Sequence, residues 1–361
     1  MKAAVLDQVP GPLSIQDVDI DRPQLGEVLV RTVASGLCHS DLHAIHGDRV
    51  AMPTPFVLGH EAAGVVEAVG PGVTNVQPGD HVVACLSVYC GHCAHCLTGQ
   101  AYRCFKDDFA RPPGAPGRLR RGDGEMHQFV GISSFAEQML LSQHNVVRID
   151  PSLPLEQACL LGCGVLTGVG AALRTAGVTP GSTVAVIGCG GVGLSVLQGA
   201  RLAYARKIVA IDVDEAKLEL ARRCGATDVV DASEVDAVEA LNSVVPGGVD
   251  FAFEAIGRPE TAQQAIAMTG FGGVMTLVGM AAPDAQFTVS GLDMMLGKTI
   301  QQSVMGSNRF GADIPLLAEH ALAGRLDLDV MVSETHELDE LPSTVDRLEA
   351  GHVLGRAVFT F

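Results

Sequence analysis

STVAVIGCGGVGLSVLQGARLAYA, residues 182–205, is the stretch that decides the fold. Its first half, STVAVIG, is an unbroken apolar run, as expected of a strand buried on both faces. Its second half, GLSVLQGARLAYA, has the spacing of a helix. Between them GCGGVG fits G-x-G-x-x-G, a pattern that carries meaning only in this strand–turn–helix setting. Gly188 permits the tight turn, Gly190 lets the backbone approach a pyrophosphate, and Gly193 lets the helix pack close to the strand. A pyrophosphate would sit at the helix N-terminus, where free N–H groups and the helix dipole favour an anion. The next strand, KIVAID, ends at Asp212, 19 residues after Gly193. Its carboxylate would accept hydrogen bonds from an adenosine ribose and repel a 2′-phosphate, so NAD is expected over NADP.

Outward from this unit the same rhythm continues. EAKLELARRCG reads as a helix and DVVD as a strand. GVDFAFEAIG and GGVMTLVG are two more strands with a helical stretch between them. Alternation of all-apolar strands with helices implies an α/β fold whose doubly wound parallel sheet is covered on both faces. Residues 1–160 read differently. Short runs such as GEVLVRTVA, AAGVVEAVG and DHVVACL, separated by Gly, Pro and Asp turns, mark a β-rich region. Beyond about residue 305 the pattern turns mixed and closes on a strand, GRAVFTF. One domain is therefore expected from both ends of the chain, with the other inserted between them. No internal repeat is visible.

The totals narrow the function classes. The 361 residues, 47% of them apolar, suffice for about two domains with sizeable cores. A net charge of -17 argues against nucleic acid, which needs a basic face. The one basic knot, RPPGAPGRLRR from Arg111 to Arg121, is expected to be a solvated surface loop. MKAAVLDQVP carries Asp7 and no apolar core, so no export signal is expected. The most apolar window, Thr183 to Ala205, is interrupted by five glycines, Gln198 and Arg201, so no membrane span is expected. Ten cysteines without an export signal suggest a reducing, cytoplasmic setting, where spaced thiols bind metal or do chemistry.

CGHCAHCLTGQAYRC, residues 90–104, concentrates four of those thiols. Cys90, Cys93, Cys96 and Cys104 match a closed tetrahedral zinc site, which leaves no open position for water or substrate and would pin a lobe lacking its own core. An iron–sulfur cluster and plain buried thiols are the alternatives, and His92 and His95 lie close enough in sequence to compete as ligands. A catalytic zinc needs three protein ligands and a vacancy. Candidates are Cys38 in a polar turn, GLCHSDLH; His60 and Glu61 in GHEAAG; and Cys163 in LGCGVLTG. Spacing alone does not join them.

Taken in order, GLCHSDLH, GHEAAGVVEAVGPGV, the four-cysteine lobe, LGCGVLTG, IGCGGVG, FEAIGR and GRAVFTF resemble the zinc-dependent alcohol dehydrogenases of the medium-chain dehydrogenase/reductase superfamily. The 111–130 segment resembles the longer loop of the horse-liver type. The resemblance implies a GroES-like catalytic domain, residues 1–164 and 305–361, with a structural zinc lobe at about 88–107, and a Rossmann NAD-binding domain at 165–304. It implies two zinc ions per chain. Cys38, His60 and Cys163 would hold the catalytic one, with Glu61 able to approach it and Asp41 holding the ring of His60. Cys90, Cys93, Cys96 and Cys104 would hold the structural one. Ser40 would contact the zinc-bound alcohol and His43 would pass its proton to solvent through the cofactor ribose. Thr167 and Val192 would pack at the nicotinamide. Asp212 and Lys217 would hold the adenosine end, and His39 and Arg356 would face the pyrophosphate. The glycine turn with Gly191, together with Val213, Ile256, Gly257, Val278, Gly279 and Met280, completes the implied cofactor site.

The implied reaction interconverts primary alcohols and aldehydes by hydride transfer from a zinc-bound alkoxide to nicotinamide. With an unperturbed pKa of about 6.5, His43 suits a proton shuttle. Pocket positions by resemblance are Leu86, Phe129 and Val130, with Arg49 and Val50 near the mouth. Leu86 replaces an aromatic found in some relatives, which favours medium-chain or aromatic alcohols. A thiol-dependent formaldehyde dehydrogenase is the runner-up, disfavoured because Asp107 and Asp108 stand where that reaction wants a cation and Lys106 is the only one nearby. A variant with permanently bound NAD, and a non-catalytic relative, are further readings; the intact Cys38–His60–Cys163 set argues against the latter. Pairing through the edge strand near TIQQSVMG is expected to give a homodimer, with a tetramer as the alternative.

Overall fold

The apolar run Thr183–Ile187 is buried along its whole length. In the computed structural model, which describes residues 1–48, 52–104, 110–112 and 114–361, it lies near the centre of a six-stranded sheet. From edge to edge the strands are Asp228–Asp231, Lys207–Asp212, Thr183–Ile187, Val249–Glu254, Thr269–Leu277 and Thr299–Gln302, and every pairing is parallel. The chain order reverses beside Thr183–Ile187, with Lys207–Asp212 on one side and Val249–Glu254 on the other. Such a switch point opens a crevice at the carboxyl ends of the strands. The glycine turn lies at that end, and the helix Gly191–Leu202 starts directly from it.

The β-rich half is built on one long strand, Glu27–Gly36. It pairs antiparallel with Glu61–Val69, Gln138–Ser142 and Arg356–Thr360. Two registers assemble the metal-ligand region: Gly36 stands opposite Glu61, and Val358 stands opposite Gly36. They bring the residues just beyond each strand end together. A core of Leu6, Phe56, Leu58, Phe135 and Phe359 underlies this junction.

The chain divides into two compact units, residues 1–163, 309–324 and 332–361, and residues 164–308 and 325–331. The short return of 325–331 to the dinucleotide unit has no sequence signature. It is held by a buried amide: Gln198 Nε2 donates to the carbonyl of Asp327 at 2.8 Å, and the Asp327 N–H donates to Gln198 Oε1 at 2.7 Å.

The basic knot is solvated only in part: Arg120 and Arg121 are exposed, whereas Arg111 and Arg118 are largely buried in ion pairs. Arg111 donates to both oxygens of Glu27 (2.9 and 2.7 Å) and to Asp21 at 2.7 Å, and Arg118 donates to Glu27 at 2.7 Å. The side chains of Arg111 and Glu27 are 9% and 4% exposed. Burial alone would raise the Glu27 carboxyl, but the two guanidiniums hold it down to about 2. Arg49, Val50, Lys106, Asp107 and Asp108 fall outside the described residues. Among the described residues no single helix is long and apolar enough to cross a membrane.

Candidate metal centres and cofactor turns

Cys38 closes the long strand and opens a helix, His39–His46, in place of the expected polar turn. It is the N-cap, and its backbone N–H donates to Asp41 Oδ2 at 2.9 Å. The second oxygen of Asp41 lies 3.1 Å from His60 Nδ1, and both side chains are fully buried. One carboxylate thus fixes the backbone of Cys38 and the ring of His60. The Gly36–Glu61 register places His60, the residue before Glu61, beside Cys38, two residues beyond Gly36. Cys163 arrives from a third direction. The turn Cys159–Gly162 lies so close to the strand His81–Ala84 that a Cβ on Gly162 would meet the Ala84 carbonyl oxygen at 2.3 Å. Ala84 in turn stands opposite Ala62. The ligand atoms of Cys38, His60 and Cys163 come within 4.8 Å of one another, and all three residues are buried.

These residues fit a zinc ion. His60 Nε2 is buried without a hydrogen-bond partner, as a metal-directed nitrogen must be. Between the two cysteines, hydrogen bonding from Cys163, together with the charges of Arg356 and His60, holds the Cys38 thiol far below its usual range. The bond to Cys38 and burial push Cys163 far above its usual range. A dication between them would favour the thiolate form of both. For His60, burial opposes the charged form, but Asp41 outweighs it and raises the imidazole well above its usual range.

Arg356 lies beside this centre. The strand register runs it opposite Cys38, with the Leu37 N–H bonded to the Ala357 carbonyl at 2.9 Å. Its Nε donates to Glu61 Oε1 at 3.1 Å and a terminal nitrogen reaches Cys38 Sγ at 3.5 Å; the residue is 4% exposed. The family resemblance implies that it faces a pyrophosphate; the structure adds bonds to the Cys38 thiol and the Glu61 carboxylate. That role is hidden in the sequence because both partners lie about 300 residues away. Glu61 rests on Gly36, where a Cβ would come within 2.5 Å of its Oε1.

Ser40 and His43 project from the first turns of the same helix. Ser40 Oγ is 3.8 Å from Cys38 Sγ, and His43 Nδ1 is 3.1 Å from Asp48 Oδ1. His39 is exposed. Of the expected pocket residues, Leu86 and Val130 are half-buried, but Phe129 is 1% exposed. Its ring packs edge-on to His60 at 5.6 Å and stacks on Phe56 at 6.0 Å. It backs the histidine ring.

The four-cysteine lobe has its own geometry. Its thiols lie 3.5 Å (Cys93–Cys96), 3.9 Å (Cys90–Cys96) and 3.9 Å (Cys93–Cys104) apart. A zinc tetrahedron with bonds of about 2.3 Å sets sulfurs about 3.8 Å apart, so the set fits. Neither short helical turn of the lobe, Ala94–Leu97 or Ala101–Arg103, contributes a buried residue. The other four cysteines, Cys85, Cys159, Cys189 and Cys224, are buried, and burial pushes the Cys85 and Cys224 thiols up to about 12, which makes them unreactive.

In the second unit the glycine turn is stitched by Asp212. Its Oδ2 accepts from the Cys189 N–H at 2.7 Å, and its Oδ1 from the N–H groups of Val213 (2.8 Å) and Asp214 (3.2 Å). A Cβ on Gly193 would lie 1.8 Å from the Gly188 carbonyl oxygen, which is why the helix start requires glycine. Gly190 is the N-cap, and Gly191 and Val192 begin the helix. Lys217 lies in the first turn of the helix Glu215–Arg223, capped by Asp214. Thr167 Oγ1 is 3.6 Å from Met305 Sδ. Val213, Ile256 and Met280 stand 66%, 42% and 43% exposed.

Residues 24–151 match the family model of the alcohol dehydrogenase GroES-like domain, and residues 191–319 that of the zinc-binding dehydrogenases. Among solved structures, an alcohol dehydrogenase zinc-binding domain protein from Burkholderia ambifaria is 36% identical, with TM-score 0.94 and coverage of 100% of this chain and 98% of that one. A benzyl alcohol dehydrogenase from Acinetobacter calcoaceticus is 35% identical, with TM-score 0.92 and coverage of 100% and 99%. A putative zinc-binding dehydrogenase from Sinorhizobium meliloti 1021 bound to NADP is 26% identical, with TM-score 0.83 and coverage of 100% and 99%.

Proposed function

Because the chain belongs to the zinc-dependent alcohol dehydrogenases of the medium-chain dehydrogenase/reductase superfamily, we propose that it oxidises primary aromatic or medium-chain alcohols to aldehydes with NAD, and reverses that reaction. The observation that carries the reading is the buried Cys38–His60–Cys163 set with an unpartnered Nε2 on His60. Zinc at this set would supply the Lewis acid that lowers the pKa of a substrate hydroxyl, and NAD would supply the hydride acceptor. Ser40, next to the Cys38 thiol, would accept the hydroxyl proton while passing its own on toward His43 by way of the cofactor ribose. His43, three residues on along the same helix and 16% exposed at its side chain, relays it to water and is oriented by Asp48. Each turnover removes one hydride and one proton from the alcohol.

NAD over NADP rests on Asp212, whose carboxylate lies at the end of the second strand and would oppose a 2′-phosphate. The benzyl alcohol dehydrogenase likeness and the aliphatic side chain at Leu86 support an aromatic substrate. The exposed Phe271, Leu292, Met294 and Met295 and the unpaired edge of Thr299–Gln302 support a homodimer. The composition supports a cytoplasmic setting.

The test is steady-state reduction of NAD and of NADP, separately, with ethanol, hexanol, octanol, benzyl alcohol, and formaldehyde with and without small thiols, on protein assayed for zinc. Turnover of benzyl alcohol or octanol with NAD, well above ethanol, is expected. Preference for NADP would overturn the role given to Asp212. Activity confined to formaldehyde plus a thiol would overturn the substrate reading.

A further inference from the structure

Glu254 ends the strand Val249–Glu254, is 0% exposed, and takes no part in the reaction described above. Its Oε1 accepts three hydrogen bonds, from the Ile256 N–H (3.0 Å), the Gly257 N–H (2.8 Å) and Thr261 Oγ1 (2.7 Å). Its backbone carbonyl accepts two more, from the N–H groups of Val278 (2.7 Å) and Gly279 (2.9 Å). Its Oε2 is buried and has no partner. A carboxylate with one oxygen unsatisfied is an expensive way to tie a turn that a neutral side chain could tie.

The two turns it joins touch. A Cβ on Gly279 would lie 2.1 Å from the Gly257 nitrogen, and one on Gly257, whose φ is +88°, would lie 2.6 Å from the Met280 carbonyl oxygen. The first turn also meets the glycine loop, since a Cβ on Gly188 would lie 2.5 Å from Ile256 Cγ1. Ile256 and Met280, both partly exposed, flank these contacts. The Glu254 side chain therefore fixes the turn that follows its strand, and that turn packs directly on the one after Leu277, which hangs from the Glu254 backbone carbonyl.

We propose that Glu254 is a positioning residue for the dinucleotide: it holds Ile256–Gly257 and Val278–Met280 as one rigid ledge against which the cofactor binds. The inference rests on the reading that these turns face the dinucleotide. It predicts an effect on cofactor affinity, with little on zinc content or on turnover at saturating cofactor.

The experiment titrates NADH by fluorescence against the zinc-loaded wild type and the Glu254→Ala, Glu254→Gln and Thr261→Val variants, alongside the KM for NAD, kcat and zinc content. Glu254→Ala is expected to weaken NADH binding about tenfold and raise KM in step, with kcat within about threefold. Glu254→Gln keeps an oxygen for the two N–H groups and should recover most of the affinity. Thr261→Val removes one of the three bonds and should weaken NADH about two- to threefold. Wild-type NADH affinity in Glu254→Ala, with only a lower thermal midpoint, would overturn the inference. If that variant fails to fold, Thr261→Val decides: wild-type affinity there overturns it. A wild type that binds no NADH would overturn the cofactor reading itself, and this inference with it.

Discussion

Replacing Asp41 by Asn should loosen the catalytic zinc without disturbing the structural one. The carboxylate serves two donors at once, the Cys38 N–H at 2.9 Å and His60 Nδ1 at 3.1 Å, in a fully buried position. An amide has one acceptor and one donor end. If its oxygen keeps the histidine, its NH2 confronts the Cys38 N–H and the helix loses its cap. If its oxygen keeps Cys38, its NH2 confronts Nδ1 and favours the tautomer with the proton on Nε2, the nitrogen that must face the metal. Either outcome forfeits one hydrogen bond to a charged group, worth about 1.5–3 kcal/mol. At about 1.4 kcal/mol per decade this is about 10- to 100-fold in metal affinity, in line with the loss of a group that orients a ligand. The assay is zinc per chain against increasing concentrations of a competing chelator, with the four-cysteine zinc as internal reference. The first zinc should leave at about 10- to 100-fold lower chelator strength than in wild type, while the second leaves unchanged. Two zincs released as in wild type, with unchanged kcat, would refute the reasoning.

Cys96→Ser removes a thiol 3.5 Å from Cys93 and 3.9 Å from Cys90; zinc should fall from about two to about one per chain and trypsin should cut at Arg103, and full zinc content would contradict the assignment. Gly36→Ala puts a Cβ 2.5 Å from Glu61 Oε1, so the carboxylate must leave its 3.1 Å partner Arg356. Breaking a buried pair costs about 3–5 kcal/mol, readable in urea unfolding; a loss below about 1 kcal/mol would mean that the pair relaxes intact. Glu27 has its carboxyl lowered from 4.5 to about 2 in the folded chain, so its ion pairs stabilise fully above the unfolded value and are lost as pH falls through the folded one. The stability gap between wild type and Glu27→Gln should be level above about pH 5 and close between pH 4.5 and about 2; a gap that persists below pH 2 would exclude this origin.

What is legible in the sequence is what lies close together along it. The glycine turn fits within six residues and the four-cysteine lobe within fifteen, so spacing alone nearly writes their geometry. Cys38, His60 and Cys163 do not, and no periodicity could join them. They meet because Gly36 pairs with Glu61 and because Gly162 can lie against Ala84, facts of register and close approach. The helix His39–His46 reads as a turn because His, Ser and Asp are weak helix formers; the signal that does mark it is Asp41 at a capping distance from Cys38, followed by Leu42 and Ile45, both buried. Arg111–Arg121 looks solvated because its counterions, Asp21 and Glu27, lie 90 and 84 residues away from Arg111. Composition counts charges but does not see such pairs.

The same contrast separates the two metal centres in how they form. The four-cysteine lobe draws its thiols from one short segment with no buried side chain in its helical turns, so a bound ion would be its main source of order. The Cys38 centre gathers two thiols, two carboxylates and one guanidinium, every residue buried, from strands that must first pair. Were these and the His60 imidazole all ionised, four negative charges would face two positive ones in a medium that solvates none of them, an excess of negative charge that a bound cation would offset. Metal binding at this centre would therefore depend on completion of the β-rich unit, and substitutions at Gly36 or Asp41 should lower the metal content of this site without lowering that of the four-cysteine site.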